Sequence, residues 1–352
     1  MIPRFSRQHL MATALVESGF SRWTRRRTRG ETAILTFHGL CRDGVEPGIL
    51  DSGLHESVSG FRQICAHLAR DYEVVTLERA VGMAGRSTDS ERPRVALTFD
   101  DGYQSNVRLA LPILKEFGLP ATVFVSTGFI DGELLWFQKL DLALERAPGE
   151  RLTVVIGEAF YDWPLQSEGQ RRRALAELLA ALKKLPWEDL NAKVEKILGL
   201  LAVDISKQWP EALRPMTAAE VRGLADDSLV EIGGHTQRHP VLARCADGVA
   251  RDEIVGGAER LKQMIGRPAR WFAYPNGGPG DFDSRKCAVW LEEAGFEGAF
   301  SMINGRVRPG VSQWSLPRYG APRTTREAEA TASGAFEVVK EWRQQFKRRA
   351  AL

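Results

Sequence analysis

The chain has 352 residues, with 48 Lys+Arg against 45 Asp+Glu and 43% hydrophobic residues. Near-balanced charge excludes a dedicated nucleic-acid binder, which is basic throughout, and the hydrophobic content excludes disorder over most of the length. No run approaches the roughly 18 uninterrupted apolar residues of a membrane span, and four scattered cysteines without a Cys-x-x-Cys pairing exclude a zinc ribbon or a thioredoxin-type site.

Residues 1–30 read as a short amphipathic helix ending in a basic cluster of Arg22, Arg25, Arg26, Arg27 and Arg29. Such a cluster is either a solvated arm or a patch attracted to an anionic membrane surface or a phosphorylated substrate. The apolar stretch Leu10–Val16 is interrupted by Thr13 and has no small-residue cleavage site after it, which argues against a secretory signal. The expected location is therefore cytoplasmic, with peripheral contact at the inner face of the membrane through the basic ends.

From residue 31 onward, β-type runs alternate with helical ones. The runs are Ala33–Phe37, Val74–Leu77, Val95–Phe99, Thr122–Val125, Leu229–Ile232, Trp271–Tyr274 and Gly298–Met302. Helical stretches lie at Phe61–Leu68, Val107–Phe117, Val249–Met264 and Ser284–Ala294. This alternation predicts an α/β fold with a parallel sheet, closed as a seven- or eight-stranded (β/α) barrel over about 31–320. The rhythm breaks at about 131–228, where Arg171–Leu185 and Leu190–Leu201 are helical and Leu152–Ile156 suggests a hairpin strand. An insertion of that length reads as a lid or small cap on one barrel loop. Residues 321–352 form a basic C-terminal helix, with Lys340, Arg343, Lys347, Arg348 and Arg349.

Four places concentrate reactive side chains. In Leu97-Thr98-Phe99-Asp100-Asp101-Gly102-Tyr103 a strand ends in two carboxylates before a glycine turn. At the C-terminal end of a parallel strand, one such acid can bind a metal while its neighbour stays free as a base. In Glu231-Ile232-Gly233-Gly234-His235-Thr236-Gln237-Arg238-His239-Pro240, two histidines four apart on helix-like backbone point the same way and can share a divalent cation. Trp271-Phe272-Ala273-Tyr274-Pro275-Asn276-Gly277-Gly278 offers backbone N–H groups and an aromatic wall for an oxyanion or a sugar ring. His38 follows an apolar strand and precedes Gly39, again at a strand's C-terminal end.

Taken in order, T-F-D-D-G-Y, H-T-x-x-H-P and F-A-Y-P-N-G resemble the polysaccharide deacetylase family, carbohydrate esterases of family four with a NodB-homology domain. The resemblance implies a distorted (β/α) barrel and hydrolytic removal of N-acetyl groups from an amino-sugar-containing oligo- or polysaccharide. It implies one divalent transition metal, with zinc the first choice and cobalt or nickel the alternatives, held by Asp101, His235 and His239, with Asp100 as base. Tyr103, Tyr274, Pro275 and Asn276 are the candidate substrate contacts.

Two departures from the family pattern stand out. The third motif usually carries an arginine that braces the base, where this chain has Ala273; and no histidine follows His239 to act as acid. The opening T-F-H-G segment resembles a circularly permuted branch whose acid histidine comes from the first strand, which maps onto His38. Arg270, Lys262 or Arg318 could replace the bracing arginine. Alternative readings are an O-acetyl esterase, a deformylase on a lipid-linked sugar, and a non-catalytic glycan-binding barrel.

Overall fold

The computed structural model describes residues 7–350 apart from 46, 51, 86–91 and 207. Strands are labelled in chain order: β1 Thr32–Phe37, β2 Gly39–Cys41, β3 His55–Ser57, β4 Glu73–Val74, β5 Arg94–Phe99, β6 Ala121–Val125, β7 Arg151–Ile156, β8 Ala159–Pro164, β9 Val230–Gly234, β10 Trp271–Ala273, β11 Gly298–Phe300 and β12 Tyr319–Gly320. One sheet runs β11-β10-β9-β6-β5-β1-β12, with β4 beside the first residues of β5. Every pairing in it is parallel. Parallel neighbours require crossovers, and the helices Val58–Asp71, Leu111–Phe117, Asp247–Ile265 and Ser284–Glu293 lie between strands as the alternation predicts.

The segment 316–320 ties the two ends of this sheet together. Leu316 donates its N–H to the Ala299 carbonyl and accepts from the Ser301 N–H, each at 2.8 Å, while Tyr319 and Gly320 pair with Leu35 and Thr36 of β1. The sheet thus curls into a distorted (β/α) barrel. Its eighth strand, β12, spans only two residues and carries no periodicity of its own.

Strand alternation decides what enters the barrel. Ile34, Ala96, Phe124, Ala273, Phe300 and Leu316 form a small interior cluster. Their sequence neighbours Leu35, Leu97, Val123, Val125, Phe272 and Tyr274 belong to the larger core beneath the helices. The interior is tight. A Cβ on Gly233 would lie 2.4 Å from the Phe124 ring, so only glycine fits where β9 passes β6.

Between β6 and β9 the chain builds a unit with its own core. Trp136–Arg146, Glu168–Leu182 and Trp187–Leu201 pack with the antiparallel hairpin β7–β8. On the hairpin, Leu152, Val154 and Ile156 face inward and their neighbours outward, the signature of a half-buried strand.

The basic ends are folded against the barrel. The expected N-terminal helix is two helices, Arg7–Glu17 and Phe20–Arg27, broken at Gly19, whose φ of 77° ends the first. The C-terminal stretch likewise divides into Thr325–Ala332 and Ala335–Ala350 at Gly334. Residues 1–6 of the arm, and the side chains of Lys347, Arg348 and Arg349, lie outside the described set. The ends are joined by Glu329, whose carboxylate accepts from Arg25 Nε at 2.8 Å, Tyr72 Oη at 2.8 Å and His67 Nε2 at 3.2 Å.

Burial alone would raise the Glu329 pKa, but His67 and Arg25 outweigh it and hold the carboxyl below its ordinary value of 4.5. A depressed carboxylate contributes stability that is present above its unfolded pKa and lost as pH falls through the folded one. Glu329→Gln is therefore expected to lower stability by about 1–3 kcal/mol at neutral pH. The gap from wild type, read from melting temperature across pH, should shrink as pH falls below about 4.5.

Candidate active site

The reactive groups follow the same alternation to the C-terminal ends of the strands. Ala96, Thr98 and Asp100 point into the barrel in succession along β5, and the Asp100 N–H donates to the Phe37 carbonyl at 2.9 Å. The chain then turns at Asp101 (φ 76°) and Gly102 (φ 98°), which separates the two carboxylates. On β9 the inward parity of Gly233 continues to His235.

Asp101, His235 and His239 converge, all three buried. The Nε2 atoms of His235 and His239 lie 3.5 and 3.6 Å from Asp101 Oδ1, and the two imidazoles are 4.9 Å apart between centroids. One ligand atom from each residue fits within 4.8 Å of the other two. Both Asp101 carboxylate oxygens are buried without a hydrogen-bond donor. Such an acceptor is costly unless a cation or donor meets it, and the donor set, one carboxylate and two imidazoles, is that of a divalent transition-metal site.

The surrounding contacts orient these side chains. His235 Nδ1 lies 2.8 Å from the Ala273 carbonyl, which as acceptor fixes the tautomer with Nε2 free toward Asp101. Burial pushes the His239 imidazole down to about 3, favouring the neutral form a metal ligand needs. Burial acts the same way on His235, but Asp100 and Asp101 outweigh it and raise that group. The turn between the histidines is not helical as expected from the four-residue spacing. Thr236 and His239 are left-handed, at φ 63° and 59°, and the carboxylate of Glu253 accepts from the N–H groups of Gln237 and Arg238 at 3.0 and 2.9 Å. Of six non-glycine residues with positive φ among those described, Asp101, Thr236, His239 and Asn276 belong to this site. Such strain persists only where surroundings over-determine it.

Of the three candidate braces, Arg318 reaches Asp100. Its guanidinium donates to both Asp100 oxygens at 2.7 and 2.8 Å, and also reaches Thr98 Oγ1 and the Ser301 carbonyl at 3.3 Å. It is 0% exposed and sits 5.3 Å from the Phe124 ring centroid. Burial would raise the Asp100 pKa, and Arg318 outweighs it, so the carboxylate is held below its usual range. Arg270, by contrast, pairs with Glu78 and Glu297 at the surface.

A cavity of about 350 Å³ opens above this arrangement, lined by His38, Asp100, Asp101, His235, His239 and Asn276. Asn276 has its Nδ2 buried without a hydrogen-bond partner. Sequence reasoning missed the rest of the wall: Leu54, Asp281 and Met302, together with Phe137, Leu179 and Lys183 from the helical insertion. Phe137 meets His239 edge-on at 5.1 Å, and Trp136 Nε1 donates to the His239 carbonyl at 3.2 Å. No local pattern marks these residues, because the fold of the insertion alone brings them there.

Three expected substrate contacts lie elsewhere. Tyr274 has the parity of Phe272 and points outward, stacked on Phe282 at 3.9 Å with its hydroxyl donating to the Trp314 carbonyl. Pro275 is buried behind the turn and does not line the cavity. Tyr103 is 1% exposed behind Asp101, its hydroxyl accepting from Gln138 at 2.9 Å. None of the three lines the cavity.

The family model for polysaccharide deacetylases matches residues 87–185 and 191–297, more than half of the chain. The chain belongs to the polysaccharide deacetylase family. Among curated proteins, YxkH of Bacillus subtilis, whose name assigns it to the polysaccharide deacetylases, is 37% identical over 54 residues, which is 15% of this chain and only 19% of that protein's length. The fold is shared with Streptococcus pyogenes deacetylase PplD in complex with acetate (TM-score 0.55, 14% identity, 86% of this chain and 98% of that one). It is shared also with IcaB from Ammonifex degensii (TM-score 0.53, 20% identity, 86% and 97%).

Removing Arg318 would leave a buried charge unpaired, at a cost of roughly 3–5 kcal/mol. Arg318→Met is expected to lose that much in urea unfolding, and Asp100→Asn/Arg318→Met to recover part of it, because the carboxylate goes too. Additive losses in the double variant would show that the two side chains act independently.

Proposed function

We propose that this protein hydrolyses N-acetyl groups from an amino-sugar-containing oligo- or polysaccharide, with Asp101, His235 and His239 holding one divalent transition metal, zinc before cobalt or nickel. The observation that carries the reading is the pair of buried, donorless Asp101 oxygens facing two imidazole nitrogens, beside a second carboxylate clamped by Arg318. Mixed carboxylate and imidazole ligands suit these ions better than calcium or magnesium.

When bound, the ion supplies Lewis-acid polarisation and a water of lowered pKa. Asp100, kept ionised and fixed in direction by Arg318, takes the proton from the attacking water. Asn276 lines the cavity with its Nδ2 unpartnered, and it donates to the developing oxyanion. His38, on the same wall, gives a proton to the departing amine, leaving acetate and a free amino sugar. Phe137 and Leu179 give the sugar an apolar face to lie against. Arg318 also removes the motive for reading the barrel as a non-catalytic glycan binder, since the base keeps its brace.

Acetate release from a panel of N-acetylated oligosaccharides, with and without chelator, tests the reading directly. Asp101→Ala and His239→Ala should lose metal by elemental analysis while remaining folded, whereas Asp100→Asn should keep metal and lose about 10²–10⁴-fold in turnover. Full metal occupancy in either ligand variant would sink the site.

The role of His38 separates by leaving group. His38→Ala should lose about 10²–10⁴-fold on an N-acetyl sugar and little on an aryl acetate, because phenolate departs without a proton. Equal losses on both substrates would make His38 structural.

A further inference from the structure

The strongest feature outside the site lies at the other end of the barrel. A cleft of about 330 Å³ is lined by Arg22, Arg26, Arg29, Arg70 and Arg92, with Asp71 the carboxylate on its wall. Asp71 is engaged by Arg70 at 2.7 Å and His67 at 2.9 Å, so the cleft remains strongly cationic. Arg29, Arg70 and Arg92 lie just before β1, β4 and β5. Those strands are parallel, so the arginines gather at their N-terminal ends. His38 and the Asp100-Asp101 pair follow the C-terminal ends of β1 and β5. At about 3.3 Å per residue, a six-residue strand puts the two faces roughly 20 Å apart.

Beside the arginines the same helix bears an exposed aromatic group. In the helix Phe20–Arg27, Ser21 and Thr24 are the buried face, which turns Arg22, Trp23, Arg26 and Arg27 toward solvent. Trp23 and Trp342 are 41% and 44% exposed, although their rings lie 6.3 Å apart with Phe20 between them at 5.3 and 5.4 Å. Phe346, on the same helix as Trp342, is 69% exposed, and Arg27 stacks over Trp23 at 4.8 Å. Tryptophan beside arginine on short surface helices suits the headgroup layer of a bilayer, where the indole is half apolar and the cation meets lipid phosphate. A soluble anionic polymer would account for the arginines but not for the exposed rings.

We propose that this face docks on an anionic phospholipid bilayer, the arginines supplying attraction and Trp23 and Trp342 entering the interface. Docked so, the catalytic cavity opens away from the membrane, and the glycan that reaches it stands off the surface. The docking is independent of the reaction at the cavity, and only its orientation rests on the proposed deacetylase activity.

The test is sedimentation of the full chain with phosphatidylcholine vesicles, with and without about one-third phosphatidylglycerol. Binding is expected with the anionic lipid alone and should weaken with added salt. Arg22→Ala/Arg26→Ala/Arg29→Ala should lower partitioning by about fivefold per arginine, on the order of 100-fold together. Brominated acyl chains should quench tryptophan fluorescence in the wild type and less in Trp23→Ala/Trp342→Ala, with unchanged circular dichroism in both variants. Vesicle-bound protein should keep its rate on a soluble N-acetylated oligosaccharide, while a tenfold fall on binding would overturn the orientation. Absence of binding to anionic vesicles at low salt overturns the docking. So does a triple variant that partitions like wild type, or unchanged quenching in the double tryptophan variant.

Discussion

The buried ion pair between Arg318 and Asp100 joins the segment that closes the barrel to the end of strand β5. Two charges out of water are tolerated only with full hydrogen bonding, and here both carboxylate oxygens meet a guanidinium nitrogen. Two further donors reach Thr98 Oγ1 and the Ser301 carbonyl, which lie on β5 and just after β11. One side chain therefore fixes three parts of the barrel wall and the direction of the Asp100 carboxylate. Closure and chemistry share a single constraint: if 316–320 did not bridge β11 and β1, Asp100 would be a buried charge with no partner.

The metal-type cluster depends on that geometry in turn. Asp101 can face His235 and His239 only because the chain reverses at Asp101 and Gly102, and because Gly233 lets β9 approach the Phe124 ring. The loop between the histidines is unfavourable by itself, with two left-handed non-glycine residues, and Glu253 and Thr236 hold it through backbone N–H groups. Trp136 and Phe137 add the insertion's hold on His239. The insertion is thus part of the cavity wall as well as a unit with a core of its own.

Polarity along the barrel axis separates two kinds of chemistry. Carboxylates and imidazoles collect where parallel strands end, and arginines where they begin. Helical ends that could have been solvated tails are held to the barrel by the Glu329 cluster, which leaves their outward faces free. At about 3.3 Å per residue, the six-residue strands keep these two faces roughly 20 Å apart.

Much of this was legible in the chain. Apolar runs such as Val95–Phe99 and Thr122–Val125 are buried on both sides, so their composition alone marks parallel strands, and the residues just after them, Asp100, Asp101, His235 and His38, are recognisable by position. The helix-rich block was legible because its periodicity changes. What stayed hidden has one physical cause: contacts between residues distant in sequence leave no local signal. Arg318 lies 218 positions from Asp100 and sits in a segment too short to show a strand pattern. The cavity-lining Phe137, Leu179 and Lys183 look like ordinary helix residues. Tyr274 reads as a site residue from its motif, yet strand alternation turns it into the core. Sequence determined which residue types stand at the strand ends; only the closed barrel decided which way they face and what braces them.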